Sequence, residues 1–292
     1  MIFDVKKPLI LDGAMGTELM RRGIELPLPL WSSMTNIEEN ETVVKIHNEY
    51  IEAGSNIITT NTFRTTPRTF KKAGYSDLDS IRLSKLSFNM AVKAANIARN
   101  DKNILIAGSI APLEDCYVTS DFPGKEIAKR EFEFITKMVS NSDVNIMLFE
   151  TMGNYKEIET ILEVSKNIKM EKWLSIILKD RKHLLDDTKI EKVVKLATSA
   201  RIDMLLINCT STKIITASLP SLLELWKGKW GAYPNAGKSM PSKEGVFTSV
   251  ISDNKFSKEI SHYASLGASL VGSCCGSTPE TVRKISNIIY SV

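Results

Sequence analysis

Short apolar segments alternate along the whole chain with longer segments in which apolar residues recur at helical spacing. The short segments are nearly continuous apolar runs, which is typical of parallel strands buried on both faces. They predict eight strands, at Leu9–Leu11, Ile57–Thr60, Ile104–Gly108, Ile146–Phe149, Trp173–Leu178, Met204–Asn208, Lys229–Tyr233 and Leu270–Ser273. The longer segments predict eight helices, at Glu41–Ala53, Ser80–Asn100, Gly124–Val139, Asn154–Lys166, Lys189–Ser199, Lys213–Trp226, Ser257–Leu266 and Thr278–Tyr290.

Eight strand–helix units in strict order predict an α/β fold, a TIM (β/α)8 barrel formed by a single domain over residues 1–292. A doubly wound open sheet would give the same local pattern, but the number of units and the chain length favour the barrel. Irregular segments follow the strands at 22–40, 117–123 and 236–255, on the side where barrel enzymes keep their active-site loops.

Composition and charge narrow the classes of function. The chain is 43% hydrophobic and 25% charged, with a net charge of only +4, so neither a nucleic acid nor a membrane is an expected partner. No apolar segment approaches the ~18 residues of a membrane span, and no signal peptide is recognisable, so we expect a cytoplasmic protein. In that compartment four cysteines favour metal binding or catalysis over disulfides.

Three of the cysteines lie at the ends of predicted strands. Cys209 follows the sixth strand, and Cys274 and Cys275 follow the eighth. The carboxyl ends of these strands lie within reach of one metal ion in a barrel, and three thiolates leave one tetrahedral position open, as in catalytic zinc sites. Buried cysteines are also common as small apolar residues, but their shared position favours the metal. Cys116 is expected to play no part.

Other strand ends carry candidate ligand-binding residues. Asp12 and the glycine-rich turn that starts at Gly13 could bind an ammonium group and a carboxylate, respectively. Glu150 directly follows an apolar strand, where a carboxylate is costly unless it is used or paired. Asn61 ends the second strand. Asn235 ends the seventh and is either a ligand contact or a turn former.

The motifs at these strand ends together resemble the homocysteine S-methyltransferase family over nearly the whole chain. They are Asp12-Gly-Ala-Met-Gly-Thr-Glu-Leu19, Thr60-Asn-Thr-Phe63, Phe149-Glu-Thr151, Asn208-Cys209, Tyr233-Pro-Asn-Ala-Gly237 and Gly272-Ser-Cys-Cys-Gly-Ser-Thr-Pro279. In the family the last motif usually has a second glycine where this chain has Ser273.

The resemblance implies a zinc ion (Zn2+) held by Cys209, Cys274 and Cys275, which form the expected catalytic and metal-binding set. It further implies that Asp12 and Glu150 hold the amino group of homocysteine. The full set expected to bind substrate is Asp12, Gly13, Trp31, Asn61, Glu150, Asn208 and Asn235.

The expected reaction is methyl transfer from a small sulfonium compound to homocysteine, giving methionine. Members of the betaine-using branch carry tyrosines where this chain has Arg64 and Thr151, and fewer aromatic side chains weaken a cage for a quaternary ammonium. Trp31 could face a cationic donor. A betaine-type enzyme and a redox or zinc-sensing thiol protein are the alternatives. The expected partners are small molecules, and the expected state is a monomer or small homo-oligomer.

Overall fold

A closed ring of eight parallel strands forms the centre of the computed structural model, which describes residues 7–100, 102–237 and 249–290. The strands are β1 (Leu9–Ile10), β2 (Ile57–Thr59), β3 (Leu105–Ile110), β4 (Ile146–Met152), β5 (Glu171–Ile176), β6 (Met204–Asn208), β7 (Lys229–Tyr233) and β8 (Leu270–Val271). Neighbours pair in the order β1-β8-β7-β6-β5-β4-β3-β2. A parallel bridge between Leu11 and Ile57 joins β1 to β2, which confirms the predicted TIM barrel.

Helices follow the strands around the ring. They are α1 (Met15–Arg21), α2 (Thr35–Glu38), α3 (Asn40–Glu52), α4 (Pro67–Lys72), α5 (Asp77–Arg99), α6 (Lys125–Ser140), α7 (Tyr155–Ser165), α8 (Ile190–Ser199), α9 (Thr212–Leu225), α10 (Asp253–Ser265) and α11 (Pro279–Tyr290). The eight predicted helices are confirmed, with ends that differ by a few residues. The short helices α1, α2 and α4 were not predicted. Among the described residues, no helix is long and apolar enough to cross a membrane.

Several predicted strands have different bounds in the structure; β4, for example, continues beyond its predicted end to Met152. The fifth strand was predicted from Trp173, but β5 begins two residues earlier, at Glu171. The segment predicted to be irregular after the seventh strand lies partly outside the described residues, at 238–248, and its end already belongs to α10.

Side chains on each strand alternate between the inside of the barrel and the helix-facing side. On β6, Met204 and Leu206 belong to the interior cluster, whereas Leu205 and Ile207 pack against the helices. The interior is apolar towards the amino ends of the strands, with Leu9, Leu11, Ile57, Ile146, Leu148, Trp173, Met204, Leu206 and Leu270. Towards the carboxyl ends the same alternation reaches polar residues, namely Thr59, Ser109, Glu150, Ser175, Asn208 and Tyr233.

This gradient follows from the physics of a packed barrel. Branched and aromatic side chains fill the lower interior at close-packed density, so no space for a ligand is left there. Polar side chains can be kept only where they bond to one another or face a cavity. The carboxyl ends of the strands are therefore the place for a functional site.

Candidate functional site

Three cysteine sulfurs meet at the carboxyl ends of β6 and β8, which flank β7. The Sγ atoms of Cys209 and Cys274 are 2.8 Å apart, and those of Cys274 and Cys275 are 3.9 Å apart. All three sulfurs lie within 4.8 Å of one another. The predicted convergence of these cysteines is therefore confirmed, although Cys209 and Cys274 are far apart in the chain.

The cluster fits a soft divalent cation. Four ligands at ~2.3 Å around tetrahedral zinc place neighbouring sulfurs ~3.8 Å apart, close to the spacing of Cys274 and Cys275. The separation of Cys209 and Cys274 is above the ~2.05 Å of a disulfide bond and below the ~3.8 Å of two zinc-bound sulfurs. Three thiols suit zinc and similar soft ions, and disfavour magnesium or calcium, which prefer oxygen. All three cysteines also line a cavity, which leaves one side of the cluster accessible to a ligand.

Hydrogen bonds between the thiols distribute their protons unequally. Donation from Cys209 and Cys274 holds the pKa of Cys275 well below its ordinary value. The hydrogen bond with Cys274 raises the pKa of Cys209, because Cys209 shares its proton with that sulfur, and burial adds to the effect.

Cys209 is held in place by residues behind it. Its φ angle is +47°, an uncommon conformation for a non-glycine residue. The Asn235 side chain donates to the Cys209 carbonyl at 3.0 Å, and that of Asn208 donates to the Cys209 sulfur at 3.4 Å. Asn208 also donates to the Thr151 hydroxyl at 2.8 Å and accepts from the Ser175 hydroxyl at 2.7 Å. Neither asparagine is among the residues that line the cavity.

A bulge near the end of β4 sets the position of Glu150. The pairing of β4 with β5 shifts register between Phe149 and Met152, and Thr151 within this interval has a φ angle of +60°. Such a conformation is costly for a β-branched residue and is found mostly where function requires it. Thr151 also donates to the Cys209 sulfur at 3.9 Å, so the bulge connects the carboxylate to the cysteine cluster.

Glu150 faces the cavity and is bonded on both carboxylate oxygens. One oxygen accepts from the Ser109 hydroxyl at 2.5 Å and the other from the Tyr233 hydroxyl at 3.2 Å. Burial raises the pKa of Glu150 to about 7, and the nearby Cys274 sulfur adds to the shift. Ser109 and Tyr233 were not predicted as site residues; the sequence signal for both is a polar side chain at a strand end.

Asp12 is the second buried carboxylate of the cavity. Only 3% of this residue is exposed, and its oxygens accept from the Thr59 backbone N–H at 2.9 Å and the Thr59 hydroxyl at 3.1 Å. Burial raises its pKa well above the ordinary value, and the charge of Glu150 adds to this. Two carboxylates that are shielded from water and repel each other are well suited to bind a positively charged group.

Glycines in the turn after Asp12 allow bulky side chains to approach. A Cβ on Gly13 would lie 2.6 Å from the Tyr50 ring and 2.7 Å from the Ser277 hydroxyl. A Cβ on Gly16 would lie 2.6 Å from the indole nitrogen of Trp31. Gly13, Gly16 and Trp31 all line the cavity, so the glycines fix its shape at this side.

Asn61 lines the cavity, but its side-chain hydrogen bonds go to the protein. Its carbonyl accepts from the Ser32 hydroxyl at 2.6 Å, and its amide nitrogen donates to Asn36 at 2.9 Å and to Thr35 at 3.2 Å. These bonds anchor the segment that carries Trp31 to the end of β2.

The cavity has a volume of about 270 Å3 and is lined by most of the predicted site residues. The cysteine cluster, Asp12, Gly13, Trp31, Asn61 and Glu150 all line it. Phe63, Arg64, Asp115, Cys116 and Tyr117 also line it. Cys116 is therefore at the cavity but outside the group of three sulfurs that could hold a metal ion.

Three convergent cysteines that could hold a metal ion, together with two carboxylates, line one cavity at the carboxyl ends of the strands, which defines the class of TIM-barrel enzymes. Within that class, the homocysteine S-methyltransferase family model matches residues 9–289, and the chain belongs to this family of enzymes.

Individual relatives span nearly the same length. Homocysteine S-methyltransferase 3 of Zea mays is 29% identical over 95% of this chain and 88% of its own length. The homocysteine S-methyltransferase of Escherichia coli (strain K12) is also 29% identical, over 97% of this chain and 96% of its own. The crystal structure of the E. coli homocysteine methyltransferase MmuM in its metallated form matches with a TM-score of 0.82, at 28% identity over 98% of this chain and 97% of that chain.

Proposed function

We propose that this enzyme transfers a methyl group from a small sulfonium donor, such as S-methylmethionine or S-adenosylmethionine, to the thiol of L-homocysteine, giving methionine, and that it requires zinc. The observation that carries the proposal is the convergence of Cys209, Cys274 and Cys275 at the floor of a cavity that also contains two buried carboxylates.

The three cysteines would hold the zinc ion. When bound, this ion would lower the pKa of the homocysteine thiol, so that the thiol is deprotonated near neutral pH. Asn208, Asn235 and Thr151 act behind Cys209, where they fix the orientation of its sulfur and carbonyl. Bonds of this kind commonly tune the ligands of a metal site.

The two buried carboxylates would bind the ammonium group of homocysteine. Asp12 and Glu150 face the same cavity as the sulfurs, and a nearby ammonium favours their charged forms over the neutral forms that burial favours. The backbone of the turn at Gly13 is the proposed site for the substrate carboxylate, next to Asp12. This arrangement would aim the substrate thiol at the cysteine cluster.

The chemical step is a displacement at the methyl carbon. The homocysteine sulfur, already deprotonated, forms the new S–CH3 bond while the S–CH3 bond of the sulfonium breaks. The electron pair of the broken bond stays on the donor sulfur, so a sulfonium and a thiolate become two neutral thioethers. No side chain has to remove a proton during transfer, and alignment of the two sulfurs is the main task of the protein.

The test is an assay of the zinc-loaded protein with homocysteine and one donor at a time. We expect methyl-labelled S-methylmethionine to give labelled methionine, detected by mass spectrometry, at a higher rate than betaine does. Turnover with betaine and with no sulfonium compound would instead establish the betaine-type reaction.

Metal content provides a separate test of the zinc site. Cys209→Ser should reduce bound zinc to well below one ion per chain, whereas the matched variant Cys116→Ser should retain it. Equal zinc in the two variants would refute the proposed ligand set. Loss of two thiols on mild oxidation of a protein that binds no zinc would favour a redox function.

A further inference from the structure

Charged residues line the cavity in two groups. Asp12 and Glu150 lie at the strand ends, and Arg64 and Asp115 belong to the loops after β2 and β3. Arg64 is the only lysine or arginine among the described residues that line the cavity. A single cation in a cavity that receives carboxylate-bearing ligands is a candidate for their recognition.

The guanidinium of Arg64 is not neutralised by the protein. It is half-buried, yet it makes no ion pair or hydrogen bond with another described residue. Arg68, in the first turn of α4, differs in this respect. It bonds to Glu114 at 3.0 Å and to Glu131 at 2.7 Å. Carboxylates are therefore available in this region, but the protein uses them for Arg68 and leaves Arg64 directed to the cavity.

Asp115 is similarly placed and only partly used. One of its oxygens accepts from the Tyr117 backbone N–H at 2.9 Å, and the other makes no hydrogen bond to a described residue. Both Arg64 and Asp115 act on the thiol of Cys116, whose pKa burial raises to about 12, with Arg64 opposing the increase and Asp115 adding to it. The two charged groups thus lie near the same residue without pairing with each other.

The proposed homocysteine site does not use this pair. The ammonium group of homocysteine is assigned to Asp12 and Glu150 and its carboxylate to the turn at Gly13, so Arg64 and Asp115 are available to a second ligand in the same cavity. A ligand that spans the cavity could therefore place one end at the cysteine cluster and a charged end at Arg64 and Asp115.

We propose that Arg64 binds the carboxylate, and Asp115 the ammonium group, of a methyl donor that is itself an α-amino acid, so that the pair selects amino-acid sulfonium compounds. The inference rests on the proposed function. Its chemistry follows from the two residue types, because a guanidinium presents two parallel N–H donors to a carboxylate and a free carboxylate oxygen accepts from an ammonium. A donor without these groups would leave both charges unpaired.

The experiment compares three sulfonium donors that differ only in their charged groups. S-methylmethionine has a carboxylate and an ammonium group, 4-(dimethylsulfonio)butanoate has only the carboxylate, and dimethyl(propyl)sulfonium has neither. The KM of each donor and the KM of homocysteine are measured for the zinc-loaded wild type, Arg64→Gln and Asp115→Asn. Isothermal titration with S-methylmethionine gives its affinity independently of turnover. Arg82→Gln, on the exposed face of α5, is the matched control.

Charge-assisted hydrogen bonds predict that Arg64→Gln raises the KM of S-methylmethionine and of 4-(dimethylsulfonio)butanoate by ~10- to 100-fold and leaves that of dimethyl(propyl)sulfonium unchanged. Asp115→Asn should raise the KM of S-methylmethionine alone. Homocysteine KM and thermal melting should stay at wild-type values in both variants.

Two results would overturn the inference while leaving the proposed function intact. One is that the wild-type enzyme is active with sulfonium donors but each variant changes the KM of all three donors equally. The other is a selective rise in the KM of homocysteine, which would assign Arg64 to the acceptor. Absence of turnover with every sulfonium donor in the wild type would refute the proposed function itself, and the inference with it.

Discussion

Replacing Glu157 with glutamine should make the protein more stable than the wild type, by an amount that grows as the pH rises. Glu157 lies in the first turn of α7 and is only 5% exposed, and its carboxylate accepts from the Leu113 backbone N–H at 2.8 Å. This bond ties the loop after β3, which contributes Cys116 and Tyr117 to the cavity, to the outer layer of helices. Glutamine keeps an oxygen acceptor for the same bond and removes the charge.

The size of the effect follows from linkage. Burial raises the pKa of Glu157 from 4.5 to about 7. A carboxyl group whose pKa is raised by folding contributes its full stability below the unfolded pKa, and this contribution is lost as pH rises through the folded pKa. At 1.36 kcal/mol per pKa unit, the loss between about pH 5 and about pH 8 is roughly 2.5 kcal/mol. The neutral amide of the variant does not titrate and loses nothing.

Urea unfolding of both proteins at several pH values measures the difference in free energy of unfolding, in which contributions from other titrating groups cancel. Relative to wild type, Glu157→Gln should gain about 2.5 kcal/mol from about pH 5 to about pH 8. The control is Glu159→Gln, an exposed position on the same helix, which should show no such trend. A difference independent of pH for Glu157→Gln would refute the reasoning.

Three further predictions concern the cavity. Glu150→Gln should raise the KM of homocysteine ~10-fold or more with zinc retained, because a charge-assisted bond to the ammonium is lost; an unchanged KM in steady-state assays would contradict this. Asn61→Ala should lower the free energy of unfolding by about 2–4 kcal/mol in urea titrations, since several buried groups lose their hydrogen-bond partner. Gly16→Ala places a Cβ 2.6 Å from the Trp31 indole and should displace it, seen as altered tryptophan fluorescence and a raised donor KM.

Much of the site could be predicted because barrel topology constrains it. Once eight strands were recognised, the ends of the sixth and eighth had to lie on either side of the seventh, which brings Cys209 near Cys274 whatever the intervening sequence. The same reasoning placed Asp12 and Glu150 at one cavity. These predictions needed only the order of the strands and the residue that follows each of them.

The details that orient the side chains could not be predicted. The bulge at Thr151 and the positive φ angle of Cys209 occur at residue types that rarely adopt them, so propensity argues against both. The contacts of Glu150 with Ser109 and Tyr233 join β3, β4 and β7 through common residue types, with no local signal of the pairing.

Misplacement of the start of β5 has a similar cause. Charged residues argue against a buried strand, but Glu171 accepts from the Trp173 indole N–H at 3.0 Å, and the Lys172 ammonium donates to the Ser165 carbonyl at 3.0 Å. Side-chain hydrogen bonds of this kind compensate for local preferences that a single sequence cannot weigh.

Because the tightly packed lower interior lies beneath the reactive groups, the rim of the cavity is free to vary. Leu28 and Val118 line the cavity, yet 47% and 39% of their respective surfaces are exposed, so exchanging them removes little buried apolar area. Substitutions at the rim therefore change the lining of the cavity at almost no cost in folding. A barrel of this kind can diversify at its rim over evolution while the cysteine cluster stays unchanged.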